Sequence, residues 1–90
     1  MSAVITKHEF DEAAAALIRH GRSAIYDEAT ERVFFAACQV VRHRRNIPDD
    51  QPISPTDTEV IDVLTSADRR QRKLLKKLAE GLIKDTLFKH

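Results

Sequence analysis

The stretch VFFAACQVV, residues 33–41, decides how we expect the chain to fold. Valine and phenylalanine favour β-strands, so these residues could pass for a strand if they were read alone. Acidic residues precede the stretch and arginines follow it, and this order suits the dipole of a helix. The length of the segment with its flanks and its two central alanines also favour a helix. The sequence therefore predicts a helix over about residues 26–45.

This second helix carries apolar side chains on two faces. At 100° per residue, Phe35 lies about 200° around the helix from Val33, and it falls among charged residues. Either the rest of the domain covers Phe35, or Phe35 belongs to a contact patch on the surface. The inward side of the helix is formed by Val33, Phe34, Ala37, Val40 and Val41.

A first helix is predicted over residues 7–20. Thr6 and Glu9 match a capping box, in which each side chain accepts a hydrogen bond from the backbone N–H of the other residue. Gly21 is a typical stop signal at the other end, because glycine adopts the backbone conformation in which many helices terminate.

The region after the second helix is predicted to hold a loop and a short third helix. Residues 46–54 are polar and contain prolines, which cannot continue a helix, so this segment is a loop within one domain. Either Ser54 or Thr56 caps the third helix, which covers residues 55–64.

A fourth helix is predicted over residues 67–88, starting after Ser66. Its first part has leucines on one side and lysines and arginines on the other. We therefore expect an all-α fold, a single domain over residues 1–90 with four helices, of which one is short. The leucines that we expect to face the core are Leu74, Leu75 and Leu78.

Length and composition exclude several classes of protein. The longest apolar runs have six residues, far short of the roughly 20 that cross a bilayer. Cys38 is the lone cysteine, so we expect no internal disulfide and a reducing, cytoplasmic setting. No common catalytic motif occurs, and His8 with Glu12 supplies too few ligands for a stable metal site. We predict that the protein is not an enzyme, and therefore has no catalytic residue, cofactor or small-molecule substrate. We also expect no bound metal and no membrane association.

Acidic and basic residues are segregated along the chain. Residues 48–68 hold six acidic residues and no lysine or arginine, whereas residues 69–90 hold eight basic and two acidic residues. The two blocks either neutralise each other across the surface or leave the fourth helix free for an anionic partner. Basic residues crowd the start of that helix, where the dipole disfavours cations, and this favours the second interpretation.

An apolar patch beside a basic helix predicts a small protein-interaction or regulatory module. If the fourth helix continues past Gly81, three apolar residues of the tail fall on its basic side and could join Phe35 in one patch. A symmetric dimer would bury more surface than so small a domain buries alone. We therefore predict a homodimer that docks through this patch, with the basic helix facing an acidic protein. The patch residues are Phe35, Ile83, Leu87 and Phe88.

A nucleic-acid-binding regulator is the alternative prediction. Residues 55–80 could form a helix-turn-helix, in which the start of the fourth helix contacts bases and phosphates. The net charge of only +1 counts against this alternative, and so does the lack of glycine in the turn. The residues predicted to contact nucleic acid or another anionic partner are Arg42, Arg44, Arg45, Arg69, Arg70, Arg72, Lys73, Lys76 and Lys77.

Overall fold

A computed structural model describes residues 4–48 and 50–81 of the protein. This part of the chain contains four α-helices and no strand, which confirms the all-α fold class. A short 3-10 helix, Gly21–Ala24, directly follows the first α-helix. No described helix combines the length and the apolar content that are needed to cross a membrane. The α-helices are α1 (Lys7–His20), α2 (Glu28–Arg44), α3 (Asp57–Ser66) and α4 (Arg69–Gly81).

Helix α2 lies at the centre of the fold, because α1, α3 and α4 all pack against it. Its side chains are buried on more than one side, and Val33 and Ala37 have no exposed surface. Phe35 is also buried, with 2% of its surface exposed. The prediction that Phe35 belongs to a surface patch is therefore wrong: the helices that pack around α2 cover both of its apolar faces.

The other three residues of the predicted patch come from the C-terminal part of the sequence. Ile83, Leu87 and Phe88 lie outside the described residues, as does the predicted extension of the fourth helix to residue 88. The described part of α4 packs against α2 through Leu75 and Ala79, which are both buried.

Reciprocal capping fixes where α1 and α3 begin. The backbone N–H of Glu9 donates to Thr6 Oγ1 (3.1 Å), and the N–H of Thr6 donates to Glu9 Oε1 (3.0 Å). Thr56 and Glu59 repeat the arrangement at the start of α3, with distances of 3.0 and 3.2 Å. The capping box predicted for the first helix is confirmed, and Thr56 rather than Ser54 caps the third.

Helix α4 begins later than predicted. The N–H of Gln71 donates to Asp68 Oδ1 (2.8 Å), and the N–H of Asp68 donates to Gln71 Oε1 (3.0 Å), so Asp68 is the capping residue. Ser66 instead belongs to α3, where its hydroxyl donates to the carbonyl of Asp62 (2.6 Å). Ala67 and Asp68 are thus the whole connection between α3 and α4.

Acid should weaken the fold through these caps. The pKa of Glu9 and that of Glu59 are lowered, chiefly because the backbone N–H of Thr6 or Thr56 donates to the carboxylate. A carboxyl whose pKa is lower in the folded chain stabilises the fold fully above its unfolded pKa. That stabilisation is lost as the pH falls through the folded pKa. We expect the free energy of unfolding to fall as the pH drops below the ordinary glutamate value of 4.5.

Urea denaturation across this pH range would test the expectation. The double variant Glu9→Gln, Glu59→Gln keeps side chains that can complete a capping box but cannot titrate. Its unfolding free energy should therefore change less with pH than that of the unaltered protein. Parallel pH curves for the two proteins would contradict a role for these caps.

Gly21 allows α1 and α3 to approach each other. It ends α1 with φ = 63° and ψ = −146°, a conformation that is almost exclusive to glycine. A Cβ atom at this position would lie 2.6 Å from Asp57 Oδ2. That same carboxylate accepts from Arg22 Nε at 2.7 Å. A side chain here would thus strain the backbone and displace an ion pair that joins the 3-10 helix to α3.

Gly21→Ala should destabilise the protein by about 1–3 kcal/mol, the usual cost of such a backbone conformation. Gly81→Ala is the matched control, because Gly81 is helical and a Cβ there would meet no atom within 4 Å. That control should instead stabilise the fold by up to about 1 kcal/mol. Thermal unfolding of both variants would measure the difference, and effects of the same sign would contradict this account of Gly21.

Candidate functional site

Helix α4 separates two surface grooves. Its buried residues Leu75 and Ala79 face the core, and the rest of its circumference is mostly exposed. One groove runs between α4, α3 and the end of α2, and we call it the apolar groove. The other runs between α4 and the start of α1, and we call it the basic groove. Both are open to ligands and are candidate binding sites of this protein.

The apolar groove has a volume of about 710 Å³, within the range of roughly 300–1,000 Å³ that is usual for ligand sites. Leu74 lies at this groove and keeps 52% of its surface exposed. We predicted that Leu74 faces the core, but α4 packs on α2 through Leu75 and Ala79, which leaves Leu74 to one side. The aliphatic residues that line the groove are Val40, Ile47, Val63, Ala67, Leu74, Leu75 and Leu78.

Four cations of α4 are free of ion pairs within the part of the chain that the structure describes: Arg69, Arg70, Lys73 and Lys77. All four are exposed. The other two predicted contacts on this helix are paired, since Arg72 Nη2 lies 2.7 Å from Asp11 Oδ1 and Lys76 Nζ lies 3.0 Å from Glu80 Oε2.

The acidic residues within residues 48–68 that form ion pairs in the described structure do so with parts of the chain other than α4. Arg44 Nη1 lies 3.2 Å from Asp62 Oδ2, and Arg45 pairs with Glu59. Glu59 and Asp62 of α3 thus bind the basic end of α2, because these two helices pack together. Arg44 and Arg45, which we predicted as contacts for an anionic partner, are engaged within the protein. The four unpaired cations of α4 remain available.

Arg42 has a structural position rather than the surface position that we predicted. Arg42 is 2% exposed, and its Nη1 group donates to the carbonyls of Pro48 and Gln51. Arg42 therefore ties the loop after α2 to the body of the protein. Its Nε and Nη2 groups are buried without a hydrogen-bond partner among the described residues. The prediction of Arg42 as an anion contact is wrong, because the loop folds over the side chain.

The basic groove has a volume of about 640 Å³ and carries five cations around a single carboxylate, that of Asp11. Asp11 Oδ2 accepts from Lys7 Nζ (2.9 Å) and Asp11 Oδ1 accepts from Arg72 Nη2 (2.7 Å). The hydrogen bond from Lys7 is the main reason why the pKa of Asp11 is lowered. The five cations are Lys7, Arg69, Arg72, Lys73 and Lys76.

Cys38 lies in the core as a small apolar residue, with 1% of its surface exposed. Burial raises the pKa of its thiol to about 12. The thiol is therefore protonated near neutral pH, and a thiol that is both protonated and buried is a poor nucleophile. In residues 4–48 and 50–81, no group of three or more His, Cys, Asp or Glu side chains could hold a metal ion. His8 pairs with Glu12 on the exposed side of α1.

Comparisons with known proteins supply no relative from which a function could be transferred. The chain matches no protein-family model, no curated protein and no solved structure. What this protein binds must therefore be inferred from the grooves and charges beside α4.

Proposed function

We propose that this protein is a non-enzymatic interaction module that binds an acidic, amphipathic helix of another protein in the apolar groove. The supporting observation is the position of Leu74, which is half-exposed between two unpaired cations of the same helix. Arg70 and Lys77 lie one turn before and one turn after Leu74, and side chains at these spacings are neighbours on a helix surface. We call Arg70 and Lys77 the basic ridge.

The shape of the apolar groove favours a helix as the partner. Grooves between helices commonly receive the apolar face of another helix, whose anchors are spaced by three, four and seven residues. An acidic flank on that helix would meet the basic ridge. Such charge complementarity contributes mainly to the rate and the specificity of association. A module of this kind needs no catalytic group. The proposal includes a cytoplasmic location, which keeps Cys38 reduced.

A peptide-binding experiment would test the proposed function. The probe is a fluorescent helical peptide with leucines at the anchor spacings and glutamates along one flank. Two control peptides replace the glutamates by lysines or the leucines by alanines. Fluorescence anisotropy should show at least tenfold tighter binding of the first peptide than of either control. Equal binding of the glutamate and lysine peptides would overturn the proposal.

Variants of the protein would locate the binding site. Leu74→Glu, and separately Arg70→Glu with Lys77→Glu, should weaken peptide binding at least tenfold. Arg19→Glu is the control, because Arg19 is an exposed cation of α1 that lines neither groove. Sedimentation would show whether a second copy of the chain occupies the groove instead. Dimers that Leu74→Glu dissociates would overturn the proposed partner in favour of self-association.

Nucleic-acid binding is a second candidate function, favoured by the unpaired cations of α4 and by the two-residue connection between α3 and α4. A salt titration with duplex DNA tests it. Four phosphate contacts would give a slope of about −3.6 when the logarithm of the binding constant is plotted against that of the salt concentration. Such a slope, lost when the four cations are replaced, would support this candidate. No binding at about 50 mM salt would exclude it.

A further inference from the structure

We infer that the basic groove between α1 and α4 binds a small ligand with several adjacent phosphate groups, such as a polyphosphate chain or a polyphosphorylated ring. This site is distinct from the apolar groove and from the basic ridge. The two grooves share Ala67 but no charged residue, and the basic ridge lines neither groove, so this inference and the proposed function can fail independently.

The first support is the concentration of like charge in a small volume. Five cations and one carboxylate line the basic groove, which gives it a net charge of +4, or +3 if Glu80, the partner of Lys76, is counted. Residues three or four apart on a helix have Cβ atoms about 5–6 Å apart, which is within the Debye length of about 8 Å at physiological salt, so the repulsion between neighbouring cations of α4 is only partly screened. A bound anion would relieve this repulsion.

The second support is the arrangement of the cations along α4. Arg69, Arg72, Lys73 and Lys76 follow the spacing of one helix face, so each has like-charged neighbours three or four residues away. Such neighbours destabilise an isolated helix. Arg69 and Lys73 have no compensating ion pair within the described residues. A helix face with this unfavourable pattern indicates a function that stability alone does not explain.

The third support is the way in which Asp11 holds the edge of the groove. Its two carboxylate oxygens bind Lys7 of α1 and Arg72 of α4, at 2.9 and 2.7 Å. The ion pair with Arg72 joins residues that are 61 positions apart in the sequence. It therefore bridges α1 and α4 and places both cations at the groove. One carboxylate cannot neutralise five cations, so most of the positive charge remains for a ligand.

The chemistry of the groove selects phosphate among the anions. Arginine guanidinium groups bind phosphate oxygens in pairs, and lysines add point charges, so Arg69 and Arg72 beside Lys7 and Lys73 suit clustered phosphates. A ligand with three or more negative charges would balance the net charge of the groove. The volume of about 640 Å³ fits a compact ligand rather than a long polymer.

Isothermal titration calorimetry of the full chain would test this inference. The probes are inorganic tripolyphosphate and inositol hexakisphosphate, which distinguish a chain from a ring, with inorganic sulfate as the control anion. At about physiological salt, at least one probe should bind with 1:1 stoichiometry and at least tenfold more tightly than sulfate. The tighter probe identifies the source of the phosphates. The absence of saturable binding for both probes would overturn the inference.

Charge-reversal variants would place the ligand. Lys73→Glu and Lys7→Glu should each weaken binding at least tenfold, although the two residues lie on different helices. Lys77→Glu makes the same change in net charge on α4 but lies outside the groove, so it should change the affinity less than threefold. Circular dichroism confirms that each variant is folded. Equal losses for Lys73→Glu and Lys77→Glu would overturn the inference, because they would show only a general attraction to the helix.

A short DNA duplex completes the experiment. The inference is overturned if the duplex binds more tightly than tripolyphosphate and if Arg70→Glu weakens duplex binding as much as Lys73→Glu does. The cations of α4 would then bind a nucleic-acid backbone. If tripolyphosphate binds more tightly and Arg70→Glu leaves it bound, the small-ligand site is supported.

Discussion

Phe35→Ala should lower the free energy of unfolding by about 3–5 kcal/mol, the usual cost of replacing a buried phenylalanine by alanine. Phe35 is 2% exposed on the central helix, so its removal leaves a cavity where neighbouring helices meet. A domain of this size is stabilised by only about 5–15 kcal/mol in total. The loss would therefore consume a large part of its stability.

Urea denaturation of Phe35→Ala and of Leu74→Ala would measure this effect. Leu74 is the control, because it is half-exposed at the apolar groove. Its truncation should lower the free energy of unfolding by less than about 1.5 kcal/mol, since a fully buried leucine side chain contributes at most about 3 kcal/mol. Similar losses for the two variants would contradict the assignment of Phe35 to the core. A change in the oligomeric state of Phe35→Ala without a loss of stability would do the same.

Arg42→Met should lower the free energy of unfolding by about 1–3 kcal/mol and loosen the loop after α2. The substitution keeps most of the side-chain volume but removes the donor that binds the carbonyls of Pro48 and Gln51. Two buried N–H groups of Arg42 that have no partner among the described residues also disappear. Their removal offsets part of the loss, so the expected effect is smaller than for Phe35→Ala.

Hydrogen exchange would separate the effect on the loop from global unfolding. The amides of Ile47, Gln51 and Ile53 should exchange faster in Arg42→Met than in the unaltered protein. Arg44→Met is the matched control, because Arg44 forms an exposed ion pair with Asp62, which is worth about 0–1 kcal/mol. If Arg42→Met is as stable as the unaltered protein, the cost of burying the guanidinium offsets the hydrogen bonds that it makes, and the expectation is contradicted.

Features that depend on local sequence could be predicted. The start of α1 follows from Thr6 and Glu9, which lie within one turn of each other and form their capping box without help from other helices. Local patterns did not predict the start of α4 correctly, because two suitable capping residues compete there. Ser66 and Asp68 can both start a helix, and the side chain of Ser66 is taken by α3, which leaves Asp68 to begin α4.

Features that depend on how helices pack could not be predicted. The periodicity showed that Phe35 lies on a second apolar face, but it could not show which helices cover that face. The alternative in which the acidic block neutralises α4 could not be settled from the sequence for a similar reason, and the ion pairs of the described residues do not support it. Asp62 lies 18 residues from its partner Arg44, and only the packing of α3 on α2 brings them together.

The basic groove also depends on how helices pack, so the sequence predicted only part of it. The sequence identified the cations of α4 as contacts for an anion, but it gave no sign that Lys7 lies opposite them. Lys7 and Asp11 are four residues apart, which places them on one face of α1, but we did not single them out from the sequence. Only the folded chain shows that the same Asp11 also binds Arg72.

The central position of α2 affects how the chain folds as it is synthesised. Helix α2 ends at residue 44, but α4, which covers one of its sides, is complete only at residue 81. At about 5–20 residues per second, a ribosome needs about 2–7 s to add that interval. During this time the nascent chain exposes part of an apolar surface that the finished protein buries. Chaperones and aggregation compete for that surface until α4 emerges.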